Sequence, residues 1–247
     1  IVVPKDRKHH YSEKIVYLPN NYMSNDSKVK ISNKVFKRKD VGLPADGFVF
    51  CCFNNFYKIN PITFTRWMKI LSKVEGSVLW LNGGNNTAIN NLKKEAKKNG
   101  IDENRLIFST FLELKEDHLS RIKLADLFLD TLPFNAHATA SDALSAGVPV
   151  LTYTGNAFAG RVATSLLNSV NLPEMITTSE EEYISTAIDL AKNSEKLKII
   201  KDKLINNLPT APLFNNKLFT KHLEAAYLVM HDRNQKGLDL DDIEIDH

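Results

Sequence analysis

Polar side chains that could bind a phosphate lie in the segment from Asp130 to Gly155. His137 and Thr139 offer N–H and hydroxyl donors there, at the predicted start of a helix. A helix N-terminus has unpaired N–H groups and about half a positive charge, which favours an anion. Asp142 could accept hydrogen bonds from ribose hydroxyls. The segment therefore predicts a site for a nucleotide diphosphate, although Thr139 and Asp142 could instead be a helix-start residue and a surface charge.

Two further groups follow earlier predicted strands. Lys115, His118 and Arg121 are spaced by three residues, so on a helix they can reach one side together. They could form a base and ribose pocket, with the imidazole against a nucleobase, or they could be an ordinary basic helix surface. Asn55 and Lys58 follow the first strand of the repeating pattern. A lysine aimed at the same cleft would neutralise a diphosphate leaving group, whereas alone it would be a solvated surface charge.

Alternating strands and helices must position these groups. Phe48 to Phe53 is a continuous apolar run, typical of a strand buried on both faces of a parallel sheet. The alternation predicts an α/β fold, a Rossmann-like doubly wound parallel sheet, whose ligands bind outside the carboxyl ends of the strands. The first loop lacks G-x-G-x-x-G, which counts against a dehydrogenase. The other predicted strands are 77–81, 105–109, 127–129 and 148–153, and the helices are 61–74, 87–99, 115–125, one closing at Gly147, 160–171, 179–192, 194–207 and 219–233.

Composition and charge exclude several classes of protein. The 247 residues are 43% hydrophobic, enough for a normal core, and the net charge of +3 is too balanced to indicate a nucleic-acid partner. Cys51 and Cys52 are adjacent in an apolar run, which indicates core residues of a cytoplasmic protein. No run approaches the roughly 20 apolar residues of a membrane span. The pair His9 and His10 lacks further ligands at suitable spacing, so no metal is predicted.

The chain is expected to be divided into three parts. Residues 1–45, with a Lys-rich stretch around Lys28 to Lys39, are interpreted as a strand remnant and a connecting segment. Residues 46–235 carry the alternating pattern and the helices that follow it, and residues 236–247 form an acidic tail that is expected to fray. The chain lacks an initiator Met and begins as if cut from a strand, so we expect it to be a fragment of a longer protein.

Several motifs occur in order: YSEKIVYLP at 11–19, FNNFYKINP at 53–61, SVLWL at 77–81, KEDHLSR at 115–121 and NAHATASDAL at 135–144. Together they resemble the C-terminal catalytic lobe of the O-linked N-acetylglucosamine transferase family and its SPINDLY-like bacterial relatives. The resemblance covers about residues 10 to 235. It implies the GT-B architecture, with two Rossmann-like lobes facing across a cleft, and makes 46–235 the UDP-binding lobe.

The resemblance implies an inverting transfer of N-acetylglucosamine from UDP-N-acetylglucosamine to Ser or Thr of proteins. The implied partners are a UDP-sugar donor and a protein acceptor, with no cofactor. Lys58 would contact the diphosphate and stabilise the departing UDP, and Asn55 would stand near the phosphates where the family commonly has Gln. His137, Ala138 and Thr139 would meet the phosphates and the sugar, although Ala138 occupies a position where the family usually has Thr.

The same resemblance implies that His118 packs on the uracil, that Arg121 hydrogen-bonds it, and that Lys115 and Asp142 hold the ribose. Ser145 replaces a usual Trp, which would loosen local packing. No part of this sequence resembles the family's tetratricopeptide repeats or most of its first lobe, which carries the proposed catalytic His. We therefore expect the chain alone to bind UDP without turnover. The alternatives are a noncatalytic nucleotide-binding or partner-docking module, and a relative that uses UDP-glucose or GDP-fucose.

Overall fold

The computed structural model describes residues 1–26 and 29–246. Lys28 of the Lys-rich stretch and His247 of the tail lie outside the described residues. The main sheet has six parallel strands, which are β2 (Val49–Cys52), β3 (Val78–Leu81), β4 (Leu106–Phe108), β5 (Leu127–Leu129), β6 (Val150–Tyr153) and β7 (Ile176–Thr177). Their spatial order is β4-β3-β2-β5-β6-β7. The doubly wound α/β prediction is confirmed.

Helices connect and cover the strands. They are α1 (Pro61–Lys73), α2 (Asn86–Lys98), α3 (Lys115–Ile122), α4 (Ala138–Ser145), α5 (Val162–Ser169), α6 (Glu180–Lys192), α7 (Ser194–Asn207) and α8 (Asn216–Gln235). Local sequence explains their ends. The side chain of Asn60 caps α1 with Pro61 at its first position, and Ser179 caps α6, whose first turn is acidic. Among the described helices, none is long and apolar enough to cross a membrane.

The order of the strands creates a topological switch point in the main sheet, and we call the space outside the carboxyl ends of β2 and β5 the crevice. From β2 the chain proceeds outward through β3 and β4, and it then returns so that β5 lies on the other side of β2. At such a topological switch point, the loops that follow the two central strands diverge and leave room for a ligand. The loop after β2 contains Asn55 and Lys58, and the loop after β5 leads to His137.

The tail does not fray as expected. Ile243–Glu244 forms β8, which pairs in parallel with β1 (Val16–Tyr17) in a second, two-stranded sheet. Lys5 pairs with Glu244, and Lys8 pairs with Asp242. The prediction of a fraying tail is therefore wrong for these residues, because a strand far away in the sequence supplies the hydrogen bonds that the tail alone lacks.

Candidate functional site

Hydrogen bonds join the loops after β2 and β5 across the switch point. Asn54 donates through Nδ2 to Thr131 Oγ1 at 2.8 Å, and its Oδ1 accepts from the hydroxyl of Thr139. Asn135 donates to the carbonyl of Thr131 at 2.8 Å. These asparagines are fully buried, so each bond is made in a medium of low dielectric, where it is strong. The crevice consequently has a rigid polar floor. The hydroxyl of Thr139, predicted as a phosphate donor, belongs to this floor.

Lys58 reaches across the crevice to the loop after β5. Its Nζ donates to the carbonyl of Asn135 at 2.8 Å and lies 4.0 Å from the centroid of the Phe134 ring. Burial lowers the pKa of the Lys58 ammonium, and the nearby carboxylate of Asp130 opposes this shift. Asn55 is exposed, and its carbonyl accepts from the backbone N–H of Lys58 at 3.0 Å. This turn directs the lysine side chain toward the crevice.

His137 lies at the start of α4. Its ring stacks on Phe134 with centroids 5.0 Å apart and planes inclined by 20°, and its Nδ1 is 3.5 Å from the hydroxyl of Tyr22. Burial and the nearby Lys58 lower the pKa of His137, which favours the neutral imidazole. The first N–H groups of α4, including those of Ala138 and Thr139, have no acceptor within the helix. The phosphate-binding end predicted from the sequence therefore lies beside Lys58.

Helix α3 brings the predicted base and ribose groups to the other side of α4. Lys115 Nζ lies 2.9 Å from Asp142 Oδ1, so these two residues are neighbours as the ribose prediction requires. His118 is half-buried with its ring edge-on to Phe53, at a centroid distance of 5.3 Å. Burial, Arg121 and Lys115 lower the pKa of His118 to about 4, so its imidazole is neutral near pH 7. A neutral ring can pack against a nucleobase without a desolvated charge.

Arg121 is buried rather than on an exposed helix surface, with only 3% of the residue accessible. Its Nε donates to His118 Nδ1 at 3.2 Å, and its Nη1 donates to the carbonyl of Thr110 at 2.6 Å. Arg121 therefore orients His118 from behind. A direct hydrogen bond from Arg121 to a base stays a prediction.

Sequence reasoning missed two members of the site, Asp130 and Phe134. Asp130 is buried at the carboxyl end of β5 and accepts three hydrogen bonds, from the backbone N–H groups of Thr131 and Ala136 and from the hydroxyl of Thr152. Burial raises the pKa of the Asp130 carboxyl to about 7, although these bonds and Lys58 oppose the shift. An Asp directly after an apolar strand was the available signal. Nothing local marked Phe134 as the ring that meets both Lys58 and His137.

The family model described as glycosyl transferase family 41 matches residues 24–223. A probable UDP-N-acetylglucosamine–peptide N-acetylglucosaminyltransferase SEC from Arabidopsis thaliana is 38% identical over 242 residues, which are 96% of this chain and 25% of that protein. A UDP-N-acetylglucosamine–peptide N-acetylglucosaminyltransferase from Caenorhabditis elegans is 35% identical over 216 residues, or 87% and 19% of the two chains.

Solved structures agree in fold. A mutant of the Thermobaculum terrenum O-GlcNAc transferase superimposes with a TM-score of 0.81 at 29% identity, covering 96% of this chain and 45% of that one. The C-terminal domain of a glycosyl transferase group 1 family protein from Francisella tularensis gives a TM-score of 0.54 at 14% identity, which shows the fold alone. The chain spans 25% and 19% of the length of the two curated relatives. Because the family model matches most of its length and its fold is that of a GT-B C-terminal lobe, the chain belongs to glycosyl transferase family 41.

Proposed function

We propose that this chain is the UDP-sugar-binding lobe of an inverting protein O-glycosyltransferase that transfers N-acetylglucosamine from UDP-N-acetylglucosamine to Ser or Thr. One observation carries the proposal. Lys58 and the N-terminus of α4 converge on the switch-point crevice. Lys115 and His118 lie on the neighbouring helix α3, and Lys115 pairs with Asp142 on α4. A cation and helix N–H groups suit a diphosphate, and the neighbouring groups suit a nucleoside attached to it.

In the proposed mechanism, this lobe acts mainly on the leaving group. As the bond between the sugar and the diphosphate breaks, negative charge develops on the phosphate oxygens. The Lys58 ammonium and the first N–H groups of α4 stabilise that charge, and the half-buried setting of Lys58 strengthens the interaction. The neutral ring of His118 packs against the uracil. Lys115 and Asp142 hold the ribose, and Asn55 lies near the phosphates.

We further propose a role for each part of the chain and for the rest of the protein. Residues 1–45 are the remnant of a preceding lobe and the connecting segment, 46–235 are the UDP-binding lobe, and 236–247 are the tail. The group that activates the acceptor hydroxyl belongs to another lobe, so this chain alone binds UDP and does not turn over. The protein is cytoplasmic, and its partners are a UDP-sugar and an acceptor protein.

Calorimetry with UDP, UMP and ADP tests the proposal. We expect UDP to bind more tightly than UMP, because UMP lacks the second phosphate that Lys58 contacts, and more tightly than ADP. Lys58→Ala should weaken UDP binding about tenfold to a hundredfold, as a lost charge-assisted hydrogen bond is worth about 1.5–3 kcal/mol. UMP binding should change less. Lys69→Ala is the matched control, because Lys69 lies on α1 and pairs with Glu180 at 2.9 Å.

Three results would contradict the proposal. The first is no binding of UDP by the folded chain, and the second is equal affinity for UDP and ADP. The third is an equal loss of UMP and UDP affinity in Lys58→Ala, which would remove the diphosphate role of this lysine. Sugar transfer by the chain alone would contradict the assignment of acceptor activation to another lobe.

A further inference from the structure

A buried carboxylate lies beneath the loop that contacts Lys58. Asp130 Oδ1 accepts from the backbone N–H of Thr131 at 2.7 Å and from that of Ala136 at 2.6 Å. Its Oδ2 accepts from Thr152 Oγ1 on β6 at 2.7 Å. One oxygen therefore ties together both ends of the segment 131–136, and the other oxygen fixes the carboxylate to the sheet.

The main chain of Asp130 is equally well anchored. Its N–H donates to the carbonyl of Leu151 at 3.0 Å, and its carbonyl accepts from the hydroxyl of Tyr183 at 3.0 Å. The Tyr183 hydroxyl in turn accepts from Trp67 Nε1 at 3.3 Å. Trp67 and Tyr183 are buried on α1 and α6. Two helices and the sheet thus hold Asp130 in place. Its hydrogen bonds with Thr131 and Ala136 therefore restrict the movement of the loop.

The loop that Asp130 closes presents the groups of the diphosphate site. It carries the Asn135 carbonyl that accepts from Lys58 and the Phe134 ring beneath the Lys58 ammonium. Its last residue, Ala136, directly precedes His137 and the N-terminus of α4. A shift of the loop would move the acceptor of Lys58 and the first N–H groups of the helix together.

We propose that Asp130 is a positioning residue of the donor site, whose carboxylate closes the 131–136 loop and so holds Lys58 at the diphosphate. The inference rests on the proposed function and adds a residue that does not touch the donor. A role in folding alone poorly explains why a carboxylate, rather than a neutral side chain, is buried beneath this loop. In the described part of the chain, no lysine or arginine forms an ion pair with Asp130, although Lys58 lies near enough to oppose the rise in the pKa of its carboxyl, and a buried carboxylate without an ion pair is costly.

Substitution of Asp130 by Asn and by Ala separates the positioning role of this side chain from the effect of its charge. An amide Oδ1 can still accept from the N–H groups of both Thr131 and Ala136, whereas alanine leaves both unsatisfied. We expect Asp130→Ala to weaken UDP binding about tenfold and UMP binding less than about threefold. Asp130→Asn should stay within about threefold of the parent chain for UDP. Asp126→Ala, at the amino end of the same strand, is the matched control and should leave UDP binding unchanged.

A cycle with Lys58→Ala shows whether Asp130 acts through the lysine. In that background, the tenfold effect of Asp130→Ala on UDP binding should shrink below about threefold. The proposed function fails if the parent chain does not bind UDP. If the parent binds UDP, equal losses of UDP and UMP affinity, an undiminished effect without Lys58, or an Asn variant as impaired as Ala would overturn the positioning role. Tighter UDP binding by Asp130→Asn and Asp130→Ala alike would mean that Asp130 acts only as a repelling charge.

Thr152→Val gives a milder version of the same test if Asp130→Ala does not fold. It removes the hydrogen bond to Oδ2 and leaves both loop contacts of Oδ1 in place. We expect a threefold weaker affinity for UDP, with UMP affinity unchanged. A folded Thr152→Val chain with equal losses for both nucleotides would count against the proposal.

Discussion

We expect Asp130→Asn to stabilise the fold. The gain in the free energy of unfolding should increase as the pH rises. Burial raises the pKa of the Asp130 carboxyl to about 7 in the folded chain, against 3.8 for an ordinary aspartate. The folded state therefore retains a proton that the unfolded state has lost, and the free energy of unfolding falls as the pH rises between these values. From 1.36 kcal/mol for each pKa unit, the cost is about 1.7 kcal/mol at pH 5 and about 4 kcal/mol at pH 8. Asn carries no charge and avoids this cost at both pH values.

Urea denaturation at pH 5 and pH 8 measures the difference. Both tryptophans, Trp67 and Trp80, are fully buried, so their fluorescence reports on the sheet and its helices. We expect the stability advantage of Asp130→Asn to grow by about 2.5 kcal/mol between the two pH values. Cys52 and Tyr183 also face Asp130, but burial raises the pKa of both groups, so neither ionises between pH 5 and pH 8. Lys58 faces Asp130 as well, and burial lowers the pKa of its ammonium. An equal advantage at both pH values, or an Asn variant that is less stable at pH 8, would refute the reasoning.

Two further predictions concern the aromatic contact and the tail. Phe134→Ala removes the ring 4.0 Å from Lys58 Nζ, and since a cation–π contact is worth about 0.5–2 kcal/mol, UDP affinity should fall about threefold to thirtyfold in calorimetry. Phe134→Leu, which keeps an apolar side chain without a π face, should fall as far; full affinity in this variant would contradict the cation–π assignment. Deleting residues 236–247 should lower stability by about 2 kcal/mol, because buried Ile243 and the pairing with Val16–Tyr17 are lost, and hydrogen exchange at Tyr17 should accelerate. UDP affinity should not change, and a loss of it would show that the tail supports the site.

The sequence predicted the parts of the fold that have strong local signals. Buried strands such as Val49–Cys52 are continuous apolar runs, and α6 begins with a Ser cap and three acids. The strands Val16–Tyr17, Ile176–Thr177 and Ile243–Glu244 have two residues each, which is too short for a recognisable periodicity. Helix α8 begins three residues earlier and ends two residues later than predicted, which is within the usual uncertainty of helix boundaries predicted from sequence.

Strong sequence signals likewise predicted only part of the candidate site. Strand order alone placed the loops of Lys58 and His137 at one edge of the sheet, and the structure brings both residues to the ring of Phe134. Spacing by three placed Lys115, His118 and Arg121 near one another, but it could not show that Arg121 points inward. Helical periodicity identifies a common side, whereas burial depends on what packs there, in this case Trp80 and the Thr110 carbonyl. Asp130 was missed because two of its three donors are backbone N–H groups, which leave no trace in side-chain patterns, and the third is the hydroxyl of Thr152 on another strand.

The protonation of the site limits how it can attract a diphosphate. Burial lowers the pKa values of His118 and His137, so both rings are neutral near pH 7, and the guanidinium of Arg121 is engaged by His118 and Thr110. Lys115 is paired with Asp142. Lys58 is different, because its ammonium contacts a carbonyl oxygen and an aromatic face, and among the described residues the nearby carboxylate of Asp130 forms no ion pair with it. We therefore expect binding of the second phosphate to depend on where Lys58 is held, and we expect that position to depend in turn on the loop that Asp130 closes.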